Sequence, residues 1–284
     1  MKKFVAILLA ALLSLSALAA VADTITIAVP NDPTNEGRAL QLLQANGILT
    51  LKKGVGLNAT KNDIESFANV EIEIYEVNAE LVPNVRTDVD YAIINSNYAI
   101  QAGLNPAAES LLVEDAIGNP YINVVSVKEG NEDSDAAKAL AAAVLSQQVV
   151  DYINATYSGS VISSVAEPTD GYDATVNYEA LAGTTISIAA TPNPHVEILN
   201  IAKEILAAKN VNLEIIEVTD YITPNTLVED GDVFANYFAH QPYQDNFNAE
   251  NNSHLVTVAG IHIEPLGLYS GRQADLTALG IQAK

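Results

Sequence analysis

Cysteine is absent from all 284 residues. The chain therefore has no disulfide, no thiolate metal site, no thiol nucleophile and no N-terminal cysteine to carry a lipid. Basic residues are scarce: Lys and Arg number 13 against 35 Asp and Glu, a formal charge of −22. That balance argues against nucleic acid or an anionic lipid surface as the main partner. Motifs for chemistry are missing as well, since there is no G-x-S-x-G, no H-E-x-x-H and no phosphate loop. Gly54 and Gly56 lack a third glycine and follow no strand, so they read as a turn. We expect no enzyme and no cofactor. The histidines His195, His240, His254 and His262 lack metal-ligand spacing, except that His254 and His262 could share a hairpin, and no metal is expected. At this acidity, Asp88, Asp90, Glu114 and Asp115 read as solvated edges.

What is present is a folded globular chain, 49% hydrophobic, with regular Gly and Pro punctuation. Residues 1–22 carry two lysines, an apolar core and the small-x-small pattern Ala20-Val21-Ala22, a leader cleaved before Asp23. No comparable apolar run follows, so no direct membrane insertion is expected. These features predict a periplasmic or secreted mature form without a lipid anchor.

The stretch Thr24 to Arg38 organises the rest. Alternating Ile25, Ile27 and Val29 suit a buried strand, which Pro30, Asp32 and Pro33 end. Thr34 or Asn35 can cap the helix that Ala39, Leu40, Leu42 and Leu43 continue, so free N–H groups and Arg38 would face one small space. A guanidinium there matches a carboxylate in two hydrogen bonds. Further on, a short helix is expected near Lys61 to Phe67, strands at Val70 to Val77, Asp90 to Asn95 and Tyr121 to Val127, and helices over Asp135 to Leu145 and Gln147 to Tyr157. Residues 158–173 are polar, contain Gly and Pro, and read as a linker.

After that linker the pattern repeats. TTISIAATPNP at Thr184 to Pro194 echoes TITIAVPNDP, and IIEVTDYITPN at Ile215 to Asn225 echoes IYEVNAELVPN at Ile74 to Asn84. Two related α/β lobes, each a mostly parallel sheet flanked by helices, explain this, and ligands then bind between them at the carboxyl ends of the strands. In the second lobe those ends carry Thr219, Asp220 and Tyr221, then the run Asn236 to Tyr243. Alternation over Tyr237, Phe238, Ala239 and His240, with Tyr243 after the Pro, could line an aromatic pocket with a polar rim, suited to a thioether, each sulfur–aromatic contact contributing about 0.3–1.5 kcal/mol.

These residues carry a resemblance. PNDPTNEGRALQLLQANGILTLK, AIINSNYAIQAGLNPA and PYINVVSVKEG resemble the second half of the methionine-binding lipoproteins of bacterial ABC importers, the MetQ or NlpA family. PHVEILNIAKEIL, VTDYITPNTLVEDGDVFANYFAHQPYQDNF and VAGIHIEPLGLYS resemble its first half. The resemblance implies a two-lobed binding-protein fold of type II-like architecture in circularly permuted order. Residues 23–115 would form the first lobe, residues 116–270 the second, and residues 271–284 a tail returning to the first. It also implies that Arg38 holds a ligand carboxylate, Asn95 and Asn123 hold the amino acid end, and Tyr221, Phe238, His240 and Tyr243 surround the side chain. The implied function is capture of L-methionine, or a related small amino acid, for an ABC-importer permease. A binder of another amino acid or short peptide, and a secreted protein that kept the fold without transport, are the alternatives.

Overall fold

The computed structural model describes residues 24–281. The leader and its cleavage point before Asp23 lie outside the described residues. The first six strands are β1 (Ile25–Pro30), β2 (Leu49–Leu51), β3 (Ile64–Phe67), β4 (Ile72–Val77), β5 (Tyr91–Ile94) and β6 (Leu112–Val113). Then come β7 (Ile122–Lys128), β8 (Ile162–Ser163), β9 (Thr185–Ala190), β10 (Asn212–Glu217), β11 (Ala235–His240), β12 (Leu255–Ile263) and β13 (Gly267–Ser270). Among the described residues they form a five-stranded sheet in the order β4-β1-β5-β13-β6, a six-stranded sheet in the order β10-β9-β11-β7-β12-β8, and a β2-β3 ribbon.

The internal repeat is visible in this order, because β4-β1-β5 and β10-β9-β11 are equivalent triplets, parallel throughout. Each triplet buries apolar strands, such as Ile27 and Ile93 in one and Ile186 and Ile188 in the other, under amphipathic helices. The remaining strands are antiparallel: β13 and β6 in the first sheet, β7, β12 and β8 in the second. The sheets are thus mixed rather than mostly parallel, because β6 to β7 and β12 to β13 are the stretches by which the chain passes between the lobes.

Three local expectations change. The helix expected near Lys61 to Phe67 is a 3-10 turn at Lys61–Asp63 followed by β3, since Thr60 and Asp63 cap only one turn and Ile64 and Phe67 pair with β2. The segment 158–173 is tied to the second lobe, Ile162 and Ser163 pairing with β12 and Thr169 bridging to Ser146. Gly267–Ser270, assigned above to the second lobe, lies in the first sheet between β5 and β6. The tail beyond it also packs there, with Leu279 buried beside Ile25 and Ile48.

Candidate functional site

Both parallel triplets end at the same cleft. The chain leaves β1 at Pro30, and Asp32, with Pro33 in the first helical turn, caps the helix Pro33–Ala45 by accepting from the Asn35 backbone N–H at 3.0 Å. The cap is therefore Asp32 and not Thr34 or Asn35, and its carboxylate occupies the anion position at that helix start. Burial pushes the Asp32 carboxyl up, against hydrogen bonds from Asn35 and Thr34 that lower it. One turn on, Arg38 is 2% exposed. Asn95 follows β5 and precedes the short helix Ser96–Gln101 without a side-chain cap bond to it, Asn123 lies in β7, and His240 ends β11.

These side chains meet in one small cavity, partly open to solvent. Its walls include Arg38, Asn95 and Asn123 on the polar side and Tyr221, Phe238, His240 and Tyr243 on the aromatic side. Tyr221, Phe238 and Tyr243 form a triangle with centroids 5.8–5.9 Å apart, in tilted and edge-on contacts. His240 accepts from the Tyr243 N–H at Nδ1, so its other nitrogen carries the proton and donates to Asn35 Oδ1 at 3.1 Å. Burial, with Arg38 adding to it, holds His240 well below its ordinary pKa, hence neutral.

Arg38 has a carboxylate partner within the protein. Its Nε donates to both Glu114 oxygens at 2.8 and 3.0 Å, and its Nη2 donates to Glu114 at 2.6 Å and to the Glu264 carbonyl at 2.7 Å. Burial alone would lower the Arg38 pKa, but the Glu114 charge and hydrogen bonds outweigh it and raise it. The guanidinium also lies 4.3 Å over the Tyr121 ring. Only its Nη1 edge is left for the cavity. Glu114 is accordingly no solvated edge: it also accepts from the Leu266 N–H at 2.9 Å, so Arg38 and Glu114 together brace the two crossings between the lobes. Asp90 is likewise buried, bound to the Thr26 N–H and to Arg272 and Gln273 of the tail.

Four further residues line the cavity that the sequence reading did not place there: Asn35, Ser96, Asn97 and Glu264. Asn35 and Asn97 stand in the quoted motifs, and their positions flanking the helix start and β5 were the available signal. Beneath Glu264 lie His195 and His262, and the ligand atoms of these three lie within 4.8 Å of one another. They are the described residues best placed to hold a metal. His262 is thus paired with His195 and not with His254, which is exposed and bound to Glu229. Glu264 Oε1 takes His262 Nε2 at 2.8 Å and His195 Nε2 at 3.3 Å. Burial pushes both imidazoles down to about 3, so these are neutral N–H donations and not ion pairs. Burial raises the Glu264 carboxyl, with His195 and Arg38 opposing.

Two α/β lobes thus enclose a mixed polar and aromatic cavity between them. The chain belongs to the NlpA lipoprotein family, whose profile matches residues 13–165 and 186–284. Among its relatives are outer membrane lipoprotein 3 of Mannheimia haemolytica, 39% identical over 148 residues, 52% of this chain and 56% of that protein. The D-methionine-binding lipoprotein MetQ of Salmonella typhimurium is 40% identical over 143 residues, 49% of this chain and 52% of the relative. The matches thus span about half the length of these relatives. A solved nutrient-binding protein from Burkholderia cenocepacia, bound to methionine, is 38% identical over 51% of this chain and 61% of its own, with a TM-score of 0.47.

These names correct one expectation. A mature form without a lipid anchor does not stand, because the family and its relatives are lipoproteins.

Proposed function

We propose that the protein captures methionine, or a closely related small α-amino acid, between its lobes and delivers it to an ABC-importer permease without making or breaking a bond. The observation that carries this reading is that the seven residues implied by the family resemblance line one cavity. The guanidinium edge of Arg38 would take the ligand carboxylate, Asn95 and Asn123 the amino acid end, and the Tyr221, Phe238 and Tyr243 triangle the thioether. His240 would enclose the side chain with them from the same wall, and its Nδ1 also holds the Tyr243 N–H. Relatives named for D-methionine support the ligand class.

Isothermal titration of the ligand-stripped protein with D- and L-methionine tests the reading. The expected result is one-to-one binding at micromolar or tighter affinity. Arg38→Lys should weaken it by about 2 kcal/mol or more, because an ammonium cannot bridge Glu114 and a ligand carboxylate with a planar fork. No heat with either enantiomer, or with a panel of other amino acids, would overturn it.

We also propose that the halves stand in circularly permuted order relative to the family. The quoted motifs support this, as does the family profile matching in two stretches. A chain re-opened within residues 158–173, with Thr24 and Ile281 joined by a short linker, should fold and bind alike, since Leu279 packs in the same core as Ile25.

A further inference from the structure

We infer that His195, His262, Glu264 and Asn123 form a closed site for one zinc-class divalent ion beneath the interlobe cavity, where the ion fastens the β12 to β13 crossing to the second lobe. The inference does not depend on the amino acid reading above.

The fold gathers these four residues from separate parts of the chain. His262 and Glu264 stand two residues apart at the end of β12, so they share one face. Asn123 lies opposite His262 in the paired strand β7, and His195 enters from the segment Pro192–Val196 that follows β9. All four side chains are buried. Glu264 Oε1 stands 2.8 Å from His262 Nε2 and 3.3 Å from His195 Nε2, and Asn123 Oδ1 stands 3.0 Å from His195 Nε2. Zinc bonds of about 2.0–2.1 Å give a tetrahedron with edges of about 3.3–3.4 Å, so these separations are near the size that an ion between them requires. Two imidazoles and a carboxylate are a donor set for zinc, and the Asn123 carbonyl closes the fourth position.

The outer partners of the two imidazoles suit an ion as well as they suit a hydrogen-bonded cluster. Thr191 Oγ1 meets His195 Nδ1 at 2.8 Å, and the Tyr237 hydroxyl meets His262 Nδ1. Without an ion the hydroxyls donate to Nδ1, and the protons on Nε2 go to Glu264 and Asn123. With an ion on both Nε2 atoms the protons move to Nδ1, and the same hydroxyls accept them. A backbone carbonyl or N–H in either place would fit one tautomer only. The imidazoles thus take up an ion by exchanging tautomer, with no outer hydrogen bond lost. The Arg38 charge is met by Glu114, and Arg38 touches Glu264 at its backbone carbonyl and not at its carboxylate. Glu264 and Asn123 also line the cavity, which gives the ion its way in. Because Glu264 stands between β12 and β13, an ion held there ties one of the two crossings to His195 and His262 of the second lobe.

The test is metal titration of the untagged, chelator-stripped full chain. One equivalent of cobalt(II) should give the intense visible bands of tetrahedral coordination, and one equivalent of zinc should erase them. Free zinc at about 100 times its Kd should raise the melting temperature by about 5 °C or more. His195→Gln and His262→Gln keep an N–H donor for Glu264 and lose the ring nitrogen. Each should weaken zinc binding by about 100-fold or more, beyond the about 10–100-fold that an outer partner contributes. Tyr237→Phe should weaken it by about tenfold, and His254→Gln, at an exposed histidine, should leave it unchanged. Zinc-edge X-ray absorption of the wild type needs no variant, and should show two imidazoles and two oxygens at about 2.0–2.2 Å. Octahedral cobalt bands alone, a zinc shell without two imidazoles, or binding that survives joint replacement of His195 and His262 would overturn the inference. So would a wild-type protein that neither colours with cobalt nor gains stability with zinc, whatever its affinity for methionine.

Discussion

Glu114 gathers Arg38, the Leu266 N–H and the Asn119 amide onto one carboxylate. Replacing it by Gln removes the carboxylate that is hydrogen-bonded to a guanidinium only 2% exposed, so Glu114→Gln should cost about 3 kcal/mol, read from the urea midpoint. The buried histidines give a second expectation at this scale. Burial holds the folded pKa of His262 at about 3, below the ordinary 6.5. Unfolded chains then take up a proton that folded ones do not, so this contribution to stability is complete above about 6.5 and lost as pH falls toward about 3. His262→Gln removes that titration, and the slope of unfolding free energy between about pH 6 and pH 4 should flatten by up to about 1.4 kcal/mol per unit. An unchanged slope would mean the folded protein already binds that proton. Arg38 and the aromatic residues were legible because they stand in long motifs. Glu114 was not: its partner is 76 positions away, and one acidic residue among 35 carries no mark of burial.

At the scale of elements, Gly37 shows why a helix can need a residue of poor helix propensity. A Cβ there would sit 2.0 Å from the Leu57 carbonyl oxygen and 2.8 Å from the Ala59 nitrogen. Both are backbone, so the loop beneath Pro33–Ala45 must move. Gly37→Ala should therefore destabilise by about 1–3 kcal/mol, despite the gain of up to about 1 kcal/mol in propensity, and urea unfolding would show the sign. The tail is held by a comparable fixed point. Asp90 takes the Thr26 N–H at 2.9 Å and Arg272 and Gln273 at 2.9 and 3.2 Å. Asp90→Ala leaves a strand N–H without its acceptor and should cost about 1–3 kcal/mol. Alternation and helical spacing made β1, β4, β5 and the long helices readable. The three-residue turn before β3 and the short β13 were not, because four-residue segments carry too little periodicity to separate helix from strand or to choose a sheet.

For the whole molecule, the repeat in the sequence was enough to foresee two lobes and a cleft, since each repeat ends its strands at a ligand-facing edge. How the cleft is fastened was not, because it depends on pairs far apart in the chain. Tyr221 donates to Asn97 at 2.6 Å, Tyr98 donates to the Thr219 carbonyl at 2.9 Å, and His240 donates to Asn35. Each bond joins one lobe to the other. Tyr98 is the informative one: it stacks on Tyr221 at 4.9 Å but belongs to a neighbouring groove and not to the cavity wall. Tyr98→Phe keeps the ring and loses one interlobe bond, which shifts the open–closed equilibrium by about 1 kcal/mol. A ligand held by the closed form should then bind about fivefold more weakly. Because the lost bond holds the lobes shut and no ligand contact changes, the loss should fall on the dissociation rate, with association nearly unaltered. Stopped-flow release of methionine compared with titration affinity would separate the two rates. A slower association at constant release would place Tyr98 at the entrance of the site and not in its latch.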